Sequence, residues 1–125
     1  RGAAHVVLND ISADCAAVIR KNAERTGLTD RITVTQYDFA RAIEVFLLRS
    51  MRFDIALLDA PYASDSAQRA AELLFAKGLI RTPDGFVIVE HAAKTPPRDV
   101  ERLMRAVWTR RYGDCGLTML KGEPA

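Results

Sequence analysis

The residues best suited to chemistry are Asp59-Ala60-Pro61-Tyr62, which directly follow the apolar run Ile55-Ala56-Leu57-Leu58. A carboxylate and a free backbone carbonyl accept hydrogen bonds from an exocyclic amine. A proline fixes the turn, and a tyrosine ring stacks on a π-face. Together they suit a flat, nitrogen-bearing ring such as a nucleobase. Turn chemistry alone also puts Asp and Pro after a strand, so the reading depends on what the rest of the chain sets beside them.

Two further acids follow candidate strands, Asp10 in Asn9-Asp10-Ile11-Ser12 and Asp38 in Tyr37-Asp38-Phe39. In a parallel sheet the C-terminal strand ends share one edge, which is where ligands bind. The three carboxylates are therefore expected to converge on one crevice. Asp10 suits a nucleoside ribose, since a carboxylate accepts from both cis hydroxyls. Asp38 suits an adenine amino group, with the apolar side chains of Ile11 and Phe39 sandwiching the ring. An acid at a helix start also complements the macrodipole and can cap the helix. That would account for Asp38 wholly and for Asp10 in part.

The elements that must position these residues alternate. Residues 5–8 read as a short apolar strand, and Ser12 can cap a helix over 13–26 that Gly27 stops in the left-handed region. Residues 32–36 alternate Ile and Val with Thr as a second strand, and 39–49 carry a helical stripe of Ala42, Ile43, Phe46 and Leu47. The run 53–58 reads as a fully buried parallel strand. A helix over 66–77 ends at Gly78, Thr82-Pro83-Asp84-Gly85 makes a turn, and 86–90 form another apolar strand. Pro96-Pro97 opens a helix that presents Arg98, Arg102 and Arg105 on one face, with Val100, Leu103, Met104 and Val107 opposite. Residues 106–112 and 115–121 form an antiparallel hairpin across Gly113-Asp114. The expected fold class is α/β, mostly parallel with an antiparallel finish and helices on both faces of the sheet.

The chain's 125 residues are one domain's worth, 49% hydrophobic and 27% charged, an ordinary globular balance. No apolar segment reaches membrane-spanning length, and no signal peptide is expected. Cys15 and Cys115 lie far apart without metal spacing, and His5 and His91 are too isolated to suggest a metal; reduced thiols in a cytoplasmic protein are expected. The net charge of +2 does not by itself indicate nucleic acid. Its distribution says more, because Arg dominates the basic residues and suits phosphate forks. Arg98, Arg102, Arg105, Arg110 and Arg111 form the expected backbone-contacting set.

Across most of its length the sequence resembles the RsmD-like small-subunit ribosomal RNA methyltransferases. The resemblance rests on Val6-Val7-Leu8-Asn9-Asp10-Ile11-Ser12, Ile19-Arg20-Lys21-Asn22, residues 53–62, Gly85-Phe86-Val87-Ile88-Val89-Glu90-His91 and residues 110–118. It implies a Rossmann-like class I fold and S-adenosyl-L-methionine as cofactor. The implied reaction is methyl transfer to the exocyclic N2 of a guanine in 16S rRNA, in the cytoplasm. Asp10 would hold the cofactor ribose, and Asp38 and Phe39 would read and pack its adenine. Asp59 and the Ala60 carbonyl would accept from the target amine, while Pro61 shapes the turn and Tyr62 stacks on the flipped base. The implied partner is small-subunit ribosomal RNA or its assembly particle, with no membrane and no metal, and the protein is expected to be a monomer.

Two departures stand out. The family's motif carries two prolines after the acid, and here the first is Ala60. Alanine still provides a carbonyl, though a less rigid loop. The family also opens with a strand, a glycine-rich loop and a helix that cradle the cofactor's methionine part. Arg1-Gly2-Ala3 resembles the end of that helix. The strand and loop are therefore expected to be missing from a single domain over 1–125, which alone could be inactive. Strands 5–8 and 53–58 would then present unpaired edges. Two other functions fit the same residues: an N6-adenine methyltransferase of DNA or RNA, and a non-catalytic RNA-binding remnant of the fold.

Overall fold

The computed structural model describes residues 5–9, 13–27, 29–59 and 66–123. Of the expected site residues, Asp10, Ile11, Ala60, Pro61 and Tyr62 lie outside them. The chain divides into two compact units, Arg1–Val45 and Phe46–Ala125. Among the described residues no helix is long and apolar enough to cross a membrane.

The first unit is a parallel strand–helix–strand crossover. Strand β1 (Val6–Asn9) leads into helix α1 (Ala13–Thr26), a single 3-10 turn (Thr29–Arg31) and strand β2 (Ile32–Thr35). The strands pair from Val6↔Ile32 to Asn9↔Thr35. Gly27, at φ 70°, stops α1 as its sequence position suggests. β1 sits one residue later than expected, because Asn9 belongs to the ladder.

Helix α2 (Phe39–Leu48) crosses the division between the units. Its end shows a device that the sequence does not advertise. Ser50 adopts φ 53°, its N–H bonds the Leu47 carbonyl at 3.0 Å, and the Met51 N–H bonds the Phe46 carbonyl at 2.9 Å. This is a Schellman stop with serine in the place usually given to glycine.

The second unit holds strand β3 (Ile55–Asp59), helix α3 (Ser66–Ala76), and strands β4 (Phe86–Ala92), β5 (Met104–Tyr112) and β6 (Cys115–Gly122). Its sheet has the order β3-β4-β6-β5, with β3 and β4 parallel and the pairs β4·β6 and β5·β6 antiparallel. Val87, Val89, Met104, Leu120 and Thr118 are fully buried, and Ala70, Ala71 and Leu74 of α3 are buried too. Gly113, at φ 63°, forms the expected hairpin turn with Asp114.

Two expectations are corrected. β3 is not fully buried: Ile55 and Leu57 are 54% and 74% exposed. The apolar run hides only one face, and among the described residues β3 pairs with β4 alone. In the first unit, β1 pairs only with β2 among the described residues, so each of β1 and β3 keeps one edge without a strand there, as expected from the sequence.

The arginine-faced helix over 98–105 is absent as well. Only one turn forms, with the Met104 N–H on the Val100 carbonyl at 2.9 Å, and Val100 donates back to the Met104 carbonyl at 2.9 Å. Arg102 sits at φ 62°, and Met104 already belongs to β5, opposite Gly122. Positions 104, 106 and 108 follow the two-residue period of a strand, in competition with the helical spacing of 100, 103, 104 and 107. Pairing with β6 buries Met104 completely, and the ladder prevails. Upstream, the buried Gln68 brackets Arg98, accepting from its N–H at 2.8 Å and donating to its carbonyl at 3.1 Å.

The sheet interior sets one sharp steric demand. A Cβ on Gly116 would stand 2.5 Å from Cε1 of the buried His91 ring. That ring is held at both nitrogens, so it has little room to yield. Gly116→Ala is expected to destabilise the fold by about 1–3 kcal/mol through overpacking, read as a lowered urea midpoint with unchanged m-value. An unshifted midpoint would show that the ring moves freely.

Candidate functional site

In the first unit the ends of β1 and β2 are stapled together by one side chain. Asn9 Oδ1 accepts from the Thr35 hydroxyl at 2.7 Å and from the Tyr37 N–H at 3.1 Å. Its Nδ2 donates to the Tyr37 carbonyl at 3.0 Å. Three hydrogen bonds from an amide that both donates and accepts fix the segment leading to Asp38. Sequence reasoning missed Asn9. Its signal is an Asn closing an apolar strand, which turn statistics also explain.

Asp38 then begins α2. Its Oδ1 accepts from the Arg41 N–H at 2.8 Å, and its carbonyl accepts from Ala42 at 2.9 Å, so Asp38 is the N-cap. The capping role weighed from the sequence is present. Asp38 is nonetheless exposed, and its second carboxylate oxygen makes no hydrogen bond among the described residues. The half-buried Phe39 follows as the first residue of the helix.

In the second unit Asp59 closes β3, exposed, with no hydrogen bond or ion pair among the described residues. Its register partner on β4 is Glu90. Side chains of parallel register partners leave the sheet on the same face. Two carboxylates thus stand side by side at the C-terminal end of the parallel pair. Glu90 is half-buried and accepts from the Cys115 thiol, with Sγ 3.3 Å from Oε1.

The next residue, His91, points to the opposite, buried face. Its Nδ1 lies 2.7 Å from the Ala92 carbonyl, and Nε2 lies 2.8 Å from the Thr118 hydroxyl, itself 2.8 Å from the Thr109 hydroxyl. A carbonyl only accepts, so Nδ1 carries the proton. This chain ties β4, β5 and β6 together just behind Glu90. Both belong to the 85–91 motif of the family resemblance, and His91 reads from the sequence as too isolated for a metal, but neither carries an expected site role there.

The arginines are spread differently from the expected helix face. Arg98 and Arg102 lie in the irregular segment before β5, while Arg105, Arg110 and Arg111 are exposed on β5, an outer strand of the sheet. The Arg110 guanidinium stacks over Trp108, 5.0 Å from the ring centre.

The sequence pattern of the family described as conserved hypothetical protein 95 matches residues 1–121. The chain belongs to this family. The RsmD-like resemblance carried by residues 6–12, 19–22, 53–62, 85–91 and 110–118 is therefore met at the level of the family. Among solved structures, a conserved hypothetical protein from Streptococcus pyogenes is 26% identical with a TM-score of 0.85, the match covering 98% of this chain and 74% of that one. A provisionally named methyltransferase complexed with SAH is 14% identical with a TM-score of 0.71, over 96% of this chain and 40% of that one. A provisionally named rRNA-methylase from Clostridium thermocellum is 12% identical with a TM-score of 0.67, over 95% and 75%. The fold of this family member is that of the class I methyltransferases.

The Asn9 staple gives a local test. Asn9→Ala removes three hydrogen bonds and is expected to cost about 1–3 kcal/mol, with faster amide exchange at Tyr37 and Arg41. Asn9→Asp keeps the acceptor and loses the donor to the Tyr37 carbonyl, so it should fall between. Unchanged exchange at Tyr37 in Asn9→Ala would show that the staple does not hold this segment.

Proposed function

We propose that this protein is an S-adenosyl-L-methionine-dependent methyltransferase acting on the exocyclic N2 of a guanine in small-subunit ribosomal RNA, in the cytoplasm. The observation that carries the reading is Asp59. It is an exposed carboxylate without a partner among the described residues, at the C-terminal end of a parallel strand and directly before Ala60-Pro61-Tyr62. Family membership and the class I fold support the reaction class. The neighbour solved with SAH supports the cofactor, and the one named as an rRNA-methylase supports the substrate.

The residues present fit the cofactor's nucleoside. The free oxygen of Asp38 offers an acceptor to an adenine amine, with Phe39 beside it in sequence, and the Asn9 staple holds the segment that presents them. Asp10 would accept from the ribose hydroxyls, and Ile11 would pack against the base. When bound, the cofactor supplies an electrophilic methyl group on a positively charged sulfur.

The chain's own residues then have little covalent work. Asp59 and the Ala60 carbonyl accept from the two hydrogens of the target amine and orient its lone pair. Pro61 limits the loop, and Tyr62 stacks on the extruded base. Fixing the amine in line supplies most of the rate. Asp59 would also hold the proton that the amine releases. Arg105, Arg110 and Arg111 on β5 would hold the RNA backbone, with Arg98 and Arg102 adding charge upstream.

Two measurements test this reading. Asp59→Ala is expected to lower methyl transfer about 10²-fold or more while leaving S-adenosyl-L-methionine affinity by calorimetry nearly unchanged. A matching loss of cofactor affinity would mean that Asp59 serves the cofactor instead. Replacing Arg105, Arg110 and Arg111 with Gln together should reduce the slope of log affinity against log salt. The reduction expected on single-stranded RNA is about 0.7 for each phosphate that is no longer neutralised. An unaltered slope would assign these arginines to the solvated surface.

A further inference from the structure

Asp59 can be reached by any planar amine, so it does not by itself choose between guanine and adenine. The register supplies a second group. Asp59 pairs with Glu90, Glu90 with Leu117, and Leu117 with Arg110, forming one row across the sheet. The two acids are neighbours on a single face, about 4.8 Å apart by strand spacing. Among the described residues neither has an ion-pair partner, and only one Glu90 oxygen is engaged, by the Cys115 thiol. The direction of Glu90 is set from behind, since the His91–Thr118–Thr109 chain pins the other face of β4.

We propose that Glu90 is a specificity-determining residue, whose carboxylate accepts from guanine N1–H while Asp59 accepts from the adjacent N2 amine. This rests on the methyltransferase reading above and sharpens its substrate. Carboxylates are acceptors only, so two side by side require two adjacent donors on the ligand. The Watson–Crick edge of guanine offers N1–H next to the N2 amine. Adenine offers its N6 amine next to a lone pair at N1, which would face the Glu90 carboxylate unpaired and repelled. Cytosine has the same fault at N3. Rejection by an unmatched buried polar group is a strong form of discrimination.

The test uses the full-length protein and uridine-rich RNA oligonucleotides carrying one guanosine, one 2-aminopurine riboside or one adenosine. 2-Aminopurine keeps the N2 amine but has a lone pair at N1. Wild-type protein is expected to prefer guanosine over 2-aminopurine in kcat/KM by about 10- to 100-fold, as for one lost hydrogen bond to a charged group. Glu90→Gln should lower transfer to guanosine by a similar factor. Its amide can donate to N1 of 2-aminopurine, so the preference should shrink toward unity. It also keeps an oxygen for the Cys115 thiol, and an unchanged melting temperature checks that the sheet is intact.

A guanosine preference that survives in Glu90→Gln overturns the assignment while leaving the methyltransferase reading standing. Transfer by the wild type to adenosine instead of guanosine overturns both. Fluorescence anisotropy with the same oligonucleotides and S-adenosylhomocysteine reads the preference without turnover. Equal wild-type affinity for guanosine and 2-aminopurine there also overturns the role of Glu90.

Discussion

The hydrogen-bond chain from Thr109 through Thr118 and His91 to the Ala92 carbonyl is the constraint on which the sheet of the second unit depends. It uses the buried side chains of His91 and Thr118, with the exposed Thr109 of the outer strand β5, to fix the end of β4. Strand side chains alternate, so fixing His91 inward fixes Glu90 outward, beside Asp59. Gly116 is part of the same device, because only a residue without Cβ leaves room for the ring. A buried polar network with every member satisfied specifies one arrangement in a way that apolar packing alone does not.

The first unit solves the corresponding problem with one amide. Asn9 bridges the C-terminal ends of two parallel strands, and it fixes the residue before Asp38. Asp38 is then both a helix cap and an exposed acceptor, with one oxygen in each role. A capping carboxylate is held in a single rotamer by the backbone it caps, which suits it to present its remaining oxygen to a ligand.

The arginine segment shows how local periodicity can mislead. Val100, Leu103, Met104 and Val107 have helical spacing, yet the chain there makes one turn and enters a strand. What decides is non-local: β6 offers Met104 a fully buried place opposite Gly122, and Gln68 of α3 takes up both backbone groups of Arg98. The basic residues move from a helix face to an outer strand, where Trp108 lies under Arg110. β3 is a smaller case of the same kind. Four apolar residues in a row suggested burial on both sides, but a strand is buried only as far as its neighbours cover it, and Leu57 stays exposed.

By itself the sequence determined the alternation of strands and helices, the glycine stops at Gly27 and Gly78, the Gly113-Asp114 turn, and the acids Asp38 that caps α2 and Asp59 that closes β3. These follow from local preferences and short-range patterning, which act within a few residues. It also carried the family, because the motifs at 6–12, 19–22, 53–62, 85–91 and 110–118 are each contiguous. Only the tertiary structure decided that Glu90 stands beside Asp59, that Asn9 clasps the loop before Asp38, and that the arginines ride on a strand. Each of these joins residues well separated along the chain through strand register or a single side chain. Register comes from packing the whole sheet, and no local pattern encodes it.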